Sequence, residues 1–320
     1  MNDFNDNREV ASASNLNPVS SLNRACLDER IAVGSAASGD ELRAAEQETR
    51  RLARSHYENF LVASVLLPAR LRQPFYNLYA FCRTADDLAD ESASPQLALD
   101  RLAALQVNLD QTYQGQPANP LFLALSSTIR QFDLSKCLFD DLLDAFRQDQ
   151  RKSRYSDFDE LLDYCRRSAN PVGRLVLQLG ECCDSQNGRL SDEICTGLQL
   201  ANFWQDVARD YQIGRIYLPL DQMERFGVDE SMVGQSATSP QLRQLLASEC
   251  DRAEQYFRRG LPLTKTVPGW LAGDVKLFAH GGLETLAAIR KIDFDVLSRR
   301  PTVSKWRQSW LLVRAMTRIL

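Results

Sequence analysis

The chain has little of what several large classes of protein need. Among its 320 residues there are only two histidines, and its eight cysteines are scattered without a CxxC pair, which disfavours a zinc site. The net charge is −4, and no basic segment is interleaved with aromatic residues, so we expect no nucleic-acid partner. No GxGxxG motif follows a strand-like segment, and we therefore expect no NADPH.

Long apolar runs are also missing. The N-terminus lacks the basic start and the apolar stretch of a secretory signal. The longest apolar run, residues 61–67, is too short to cross a bilayer. We therefore expect a cytoplasmic protein whose cysteines remain reduced and largely buried thiols.

Helical periodicity dominates what is present. Residues 1–40 are rich in Asn, Ser, Ala and Asp and are expected to form a disordered leader. From Glu41 onward apolar residues recur at helical spacing, as at Leu138, Leu142 and Phe146, while strand-like alternation is nearly absent. We predict about eight to ten helices in an all-α fold, with residues 41–320 forming one large multi-helix domain. The predicted breaks lie at 67–68, 114–120, 133–135, 184–191, 214–219, 234–240 and 260–270.

Two acidic motifs stand out within the apolar helices. Asp86 and Asp90 are four residues apart, as are Asp206 and Asp210, so each pair shares one helical face. A single pair with this spacing is usually a solvated face. Two matched pairs flanked by bulky apolar residues favour a function instead. Because Mg²⁺ prefers oxygen ligands and is often shared between carboxylates and phosphates, the motifs predict a site for metal and phosphate.

Charge balance narrows the ligand further. Four carboxylates and a diphosphate can share a cavity only if several Mg²⁺ ions and basic side chains offset their charge. Arg83 and Arg209 lie beside the motifs, and arginine suits phosphate through bidentate hydrogen bonding. Alternatively, each arginine is a local salt-bridge partner of the neighbouring aspartate. The sequence leaves both interpretations open.

The residues around the motifs carry a family resemblance. Residues 78–83 lead into the first motif, 199–202 lead into the second, and 214–219 follow it with the sequence GRIYLP. With these segments the chain resembles the squalene and phytoene synthase family of head-to-head isoprenoid synthases, over about residues 55–300. The resemblance implies the class I terpenoid synthase fold, with helices around a central cavity, and Mg²⁺-dependent ionisation of an isoprenoid diphosphate.

The resemblance also implies roles for individual residues. The implied metal ligands are Asp86, Asp87, Asp90, Asp206 and Asp210. The implied substrate-binding residues are His56, Tyr79, Arg83, Gln199, Asn202, Arg209 and Arg300. The implied catalytic residues are Asp86, Asp90, Asp206, Asp210 and Tyr164.

Within the family, segments 55–60, 164–174 and 202–206 most resemble the branch that converts presqualene diphosphate and water into hydroxysqualene. Three alternatives remain. One is synthesis of presqualene diphosphate, squalene or phytoene from farnesyl or geranylgeranyl diphosphate. Another is head-to-tail prenyl transfer, although the second motif lacks the DDxxD pattern that this chemistry would require. The last is a non-catalytic assembly protein of the same fold.

The C-terminal end suggests a further contact. Residues 289–320 contain eight Lys or Arg against two Asp, together with Trp306 and Trp310. This pattern is typical of a segment that docks on anionic lipid, which would place the protein peripherally on the inner membrane. It equally fits a terminal helix packed on the core. The implied reaction adds a second expected partner, a synthase that supplies presqualene diphosphate.

Overall fold

The computed structural model describes residue 31 and residues 38–55 and 67–302. Within these ranges all regular structure is helical, which confirms the predicted all-α class. There are twelve α-helices in the described ranges, more than we predicted. They are α1 (Gly39–Ser55), α2 (Ala69–Asp90), α3 (Pro95–Tyr113), α4 (Pro120–Phe132), α5 (Lys136–Asp149), α6 (Phe158–Ser168), α7 (Asn170–Leu179), α8 (Ser185–Gln212), α9 (Leu220–Phe226), α10 (Glu230–Val233), α11 (Pro240–Gly260) and α12 (Gly269–Lys291), and a 3-10 helix (Leu261–Lys265) precedes α12.

Side-chain caps determine several helix boundaries. Asn119 accepts a hydrogen bond from the Phe122 amide and is followed by a proline, so α4 begins there, as predicted. The predicted break at 184–191 is wrong beyond its first residue. Asp184 accepts hydrogen bonds from the amides of Gln186 and Asn187, and this cap starts α8 immediately at Ser185.

The interior consists of two clusters of buried apolar side chains. One is built mainly by α2 to α5, where the Phe81 and Phe139 rings meet edge to face with centroids 5.1 Å apart. The other surrounds α8 and includes the fully buried Trp204 and Phe257. Trp270, at the start of α12, packs against both clusters. The two acidic motifs lie on helices from different clusters, α2 and α8.

Close packing around α8 depends on glycine. A Cβ atom at Gly197 would lie 3.1 Å from the Phe257 ring, and one at Gly282 on α12 only 2.1 Å from it. Gly282 therefore requires glycine if α11 and α12 are to approach this closely, whereas a side chain at Gly197 would make a tight contact that the Phe257 ring must yield to. This packing fixes the position of α8, the helix that carries the second motif.

The expectation of reduced, buried cysteines is only partly met. Six cysteines of the described ranges are free thiols, but Cys137 is disulfide-bonded and the thiol-bearing Cys183 is exposed. The spacing of cysteines along a chain does not reveal which of them the fold brings together. Among the described residues, no helix is both long enough and apolar enough to cross a membrane.

Candidate active site

The first motif occupies the last two turns of α2. Arg83 Nη1 lies 3.0 Å from Asp86 Oδ2, and the same guanidinium pairs with Asp87. The local ion pair left open by the sequence is therefore present. Tyr79 lies one turn earlier, where burial raises the pKa of its hydroxyl. Asp90, at the end of the helix, is exposed.

The second motif lies near the end of α8 and is covered by an arginine distant in sequence. Arg300 Nε lies 2.5 Å from Asp206 Oδ1, and its Nη2 lies 2.9 Å from Oδ2. Beside this pair, Gln205 Nε2 donates a hydrogen bond to the Pro301 carbonyl at 2.7 Å. The chain that follows α12 thus returns to the second motif and places one guanidinium on both oxygen atoms of Asp206.

Each motif contains a carboxyl group whose ionisation is made costly by burial and by a neighbouring acid. Burial, followed by the neighbouring Asp206, raises the pKa of Asp210 to about 7. Burial, followed by Asp90, also raises the pKa of Asp86. A carboxylate that is costly to ionise near other acids gains most from a bound cation. The electrostatics of both motifs therefore favour cation binding.

Arg215 joins the two motifs. It lies in the loop after α8, where its amide donates a hydrogen bond to the Asp210 carbonyl at 2.8 Å. Its Nη2 atom is 3.9 Å from Asp90 Oδ1 on α2. This residue belongs to the segment GRIYLP, and no role was predicted for it from the sequence. Its positive charge also opposes the rise in the pKa of Asp210, so Arg215 is a cation that acts on both motifs.

Asp149 is the site residue that the sequence analysis missed. It ends α5, where its Oδ2 accepts a hydrogen bond from the Tyr164 hydroxyl at 2.8 Å. Its Oδ1 is buried and, within the described ranges, has no hydrogen-bond partner. Burial raises the pKa of this carboxyl to about 6. No local pattern marks Asp149, because no other acid lies three or four residues away from it in the sequence.

Aromatic side chains form a wall next to Asp149. The Phe203 and Tyr217 rings stack with centroids 3.9 Å apart and an angle of 13° between their planes. The ring centroid of Tyr164 lies 5.8 Å from that of Tyr217, and the ring centroid of Tyr155 lies 5.5 Å from that of Tyr164. All four residues are buried. The faces of such rings stabilise positive charge, so this wall suits a cationic intermediate.

The donor set suits Mg²⁺, although no complete metal site is preassembled. The motifs offer only carboxylate oxygens, the ligands that hard cations prefer. Within the described ranges, no three or more His, Cys, Asp or Glu side chains are grouped closely enough to hold a metal ion. Ions held here would therefore be shared between the carboxylates and the oxygen atoms of a bound diphosphate, which is the usual mode for Mg²⁺.

The remaining predicted site residues either lie on α8 or fall outside the described residues. His56 lies outside the described residues, as do Trp306 and Trp310 of the proposed lipid-docking segment. Asn202 and Arg209 are exposed on α8, and Gln199 is half-buried one turn before Asn202. Asn202 stands four residues before Asp206, so the polar line predicted on this helix is present.

Comparison with known proteins adds an independent observation. The sequence model described as squalene/phytoene synthase matches residues 53–307, which include both motifs and the loop that carries Arg215. The chain belongs to the squalene/phytoene synthase family. Members of this family are enzymes that act on isoprenoid diphosphates and generally depend on Mg²⁺.

Three relatives illustrate the similarity. A hydroxysqualene synthase of Rhodopseudomonas palustris is 36% identical over 219 residues, covering 68% of this chain and 73% of that protein. A phytoene synthase of Mycobacterium tuberculosis is 29% identical over 279 residues, covering 86% and 92%. The crystal structure of a squalene synthase from Alicyclobacillus acidocaldarius superposes with a TM-score of 0.77 at 43% identity, covering 81% of this chain and 97% of that one. The fold is thus that of the squalene synthase-like isoprenoid synthases.

Proposed function

We propose that this family member ionises presqualene diphosphate in a Mg²⁺-dependent step and adds water to the rearranged cation, giving hydroxysqualene and diphosphate. The observation that carries the proposal is the pair of aspartate motifs joined by Arg215 beside a buried aromatic wall. In such an arrangement, groups suited to a leaving diphosphate would lie next to groups suited to a cation. The hydroxysqualene synthases among the relatives support the choice of product.

The two motifs would bind the diphosphate end of the substrate. Asp86, Asp90, Asp206 and Asp210 would hold the ions, with Asp87 as a further ligand of the first motif. When bound, Mg²⁺ neutralises the departing diphosphate, so that a cation forms without a general base. Arginine would add bidentate hydrogen bonds to the phosphate oxygens.

Three arginines are placed for that role. Arg83 and Arg300 each face a motif and are paired with its aspartates, and Arg215 lies between the motifs. A diphosphate that brings its own ions would exchange these ion pairs for phosphate contacts. Tyr79, Gln199, Asn202, Arg209 and His56 complete the proposed set of substrate-binding residues.

The aromatic wall would hold the cation. The rings of Tyr164, Phe203 and Tyr217 are buried, so a cation at a ring face that no neighbouring ring covers would be shielded from bulk water. Ring faces stabilise a nearby cation by about 0.5–2 kcal/mol each, without supplying a nucleophile. Product choice would then depend on which water molecule can reach the cation.

A neighbouring reaction is the second candidate. The phytoene synthase of Mycobacterium tuberculosis matches a larger share of this chain than the hydroxysqualene synthases do, although at lower identity. Synthesis of phytoene or presqualene diphosphate would use the same motifs for ionisation. A non-catalytic assembly role is disfavoured because all four motif aspartates are present.

One incubation separates these functions. The purified chain is mixed with Mg²⁺ and, in separate reactions, presqualene, farnesyl or geranylgeranyl diphosphate without NADPH, and the extracted lipids are identified by mass spectrometry. We expect hydroxysqualene from presqualene diphosphate. Phytoene from geranylgeranyl diphosphate, or presqualene diphosphate from farnesyl diphosphate, would assign the neighbouring reaction. No turnover of any substrate would refute an enzymatic function.

Variants test the metal assignment. Asp86→Asn and Asp206→Asn each remove one charged ligand, and we expect turnover to fall by about 100-fold or more, because ion binding stabilises the leaving group. Asp100→Asn, an exposed position on α3, is the matched control and should retain full activity. Circular dichroism establishes that each variant is folded. Near-normal rates in both motif variants would reject these residues as ligands.

A further inference from the structure

Asp149 is a buried acid that the proposed metal site does not use. It belongs to neither motif, yet it lies where their helices meet, because Gln150 Nε2 donates to the Ala89 carbonyl on α2 at 3.2 Å. On its other side, Arg215 Nη2 donates to the Asp149 carbonyl at 3.5 Å. The end of α5 is therefore held beside both motifs, although Asp149 belongs to neither.

The two oxygen atoms of this carboxylate are used differently. Oδ2 accepts the hydrogen bond from Tyr164, whose ring belongs to the aromatic wall. Oδ1 is buried and has no hydrogen-bond partner among the residues that the structure describes. An unpaired buried carboxylate oxygen carries a large free-energy cost, and such groups are retained where a ligand or water completes them. Asp149 thus has one acceptor atom available beside the wall that suits a cation.

The other acids of the site are already engaged. Arg83 pairs with Asp86 and Asp87, and Arg300 covers both oxygen atoms of Asp206. Asp86, Asp90, Asp206 and Asp210 are also the proposed metal ligands, and a carboxylate bound to a cation is a weak base. Among the acids described at this site, Asp149 is therefore the one placed to accept a proton.

We propose that Asp149 is the catalytic base for water addition, an inference that rests on the proposed function. In this step the oxygen of a water molecule forms a bond to the cationic carbon. One O–H bond of that water breaks, and its electron pair remains on the oxygen. The proton passes to Oδ1 of Asp149. The products are a neutral alcohol and a protonated carboxyl, so charge and atoms balance without another reactant.

The surroundings of Asp149 are consistent with this role. A pKa of about 6, raised by burial and opposed by the charge of Arg215, leaves the carboxylate mostly ionised at neutral pH. A base is most effective when its pKa lies near the working pH. The Tyr164 hydrogen bond also fixes the direction of the carboxylate, so that Oδ1 keeps one orientation.

A purely structural role makes a different prediction. In that case Asp149 only anchors the Tyr164 hydroxyl. Asp149→Asn retains an oxygen acceptor for that hydroxyl and nearly the same volume, but an amide cannot accept the proton. The variant therefore separates anchoring from base catalysis. Asp141→Asn is the matched control, because Asp141 lies on the same helix and pairs with Arg166 instead.

The experiment measures two quantities with presqualene diphosphate and Mg²⁺. One is the rate of diphosphate release, and the other is the ratio of hydroxysqualene to hydrocarbon products. For Asp149→Asn we expect release within about 3-fold of wild type but a ratio lowered by about 10-fold or more, since positioned bases typically contribute large factors. Asp149→Glu should restore part of the ratio, and the control should match wild type. If the Asn variant fails to fold, Asp149→Ser replaces it in the same assay.

The outcomes are distinguishable. An unchanged product ratio in a folded Asp149→Asn or Asp149→Ser variant, beside a wild type that makes hydroxysqualene, overturns the role of Asp149 alone. Equal losses of diphosphate release and of hydroxysqualene also overturn it, because they indicate a structural role. A wild type that makes no hydroxysqualene refutes the proposed function and, with it, this inference.

Discussion

Asp274 offers a quantitative test of burial in this fold. The residue lies on α12 and is only 5% exposed, and no hydrogen-bond partner of its Oδ1 lies in the part of the chain that the structure describes. Burial raises the pKa of this carboxyl to about 8. The folded protein therefore keeps Asp274 neutral at neutral pH, whereas the unfolded chain ionises it at an ordinary pKa.

The sign of the effect follows from proton binding. Below about pH 4 the carboxyl is protonated in both states, and between about pH 4 and 8 only the folded state retains the proton. The free energy of unfolding must therefore decrease as the pH rises through this window. Two-state titration between these pKa values gives a loss of about 3 kcal/mol from about pH 5.5 to 8, as an upper limit.

Asp274→Asn removes this titration and leaves the other ionisable groups in place. Urea unfolding of wild type and variant, followed by circular dichroism at the two pH values, isolates the contribution of Asp274 as a difference. We expect the variant to gain on wild type by about 3 kcal/mol at the higher pH relative to the lower. Asp100→Asn, at an exposed position, should show no such change. A difference in unfolding free energy between wild type and the Asp274→Asn variant that is equal at both pH values would refute the argument.

Two further predictions follow from the packing and from the second motif. Gly282→Ala should destabilise the fold by about 1–3 kcal/mol, because the new Cβ atom would collide with the Phe257 ring. The neighbouring Gly281→Ala is the control, since a Cβ atom there has open space, and thermal unfolding compares the stability of the two variants. Arg300→Ala frees both carboxylate oxygens of Asp206, so we expect the protein without substrate to bind Mg²⁺ about 2–5-fold more tightly, as measured by calorimetry. Unchanged or weaker binding would contradict competition between the arginine and the ion.

The helical class could be predicted from the sequence because apolar periodicity is local. The break at 133–135 was also confirmed, since Asp133 adopts a left-handed conformation at the end of α4. The predicted number of helices was too low for a physical reason. The chain also turns at caps such as Asp157, which accepts a hydrogen bond from the Glu160 amide without any glycine or proline to mark the boundary.

The candidate site could be predicted only in part. The motif aspartates and Tyr164 were found from spacing and resemblance, and their roles in metal binding and catalysis remain predictions. Asp149 was missed, and Arg215 had no assigned role. Both residues are recognised only by contacts with residues on other parts of the chain. Asp149, for example, accepts a hydrogen bond from Tyr164, which lies 15 residues later in the sequence.

The sequence by itself determined that each aspartate pair shares one face of a helix. A spacing of four residues is converted into a common face by the geometry of the helix alone, whatever surrounds it. Only the tertiary structure decided what stands between the motifs. Arg215 reaches from the second motif to Asp90, and Arg300 returns from beyond α12 to Asp206. These contacts arise from packing between distant segments, and no local pattern encodes them.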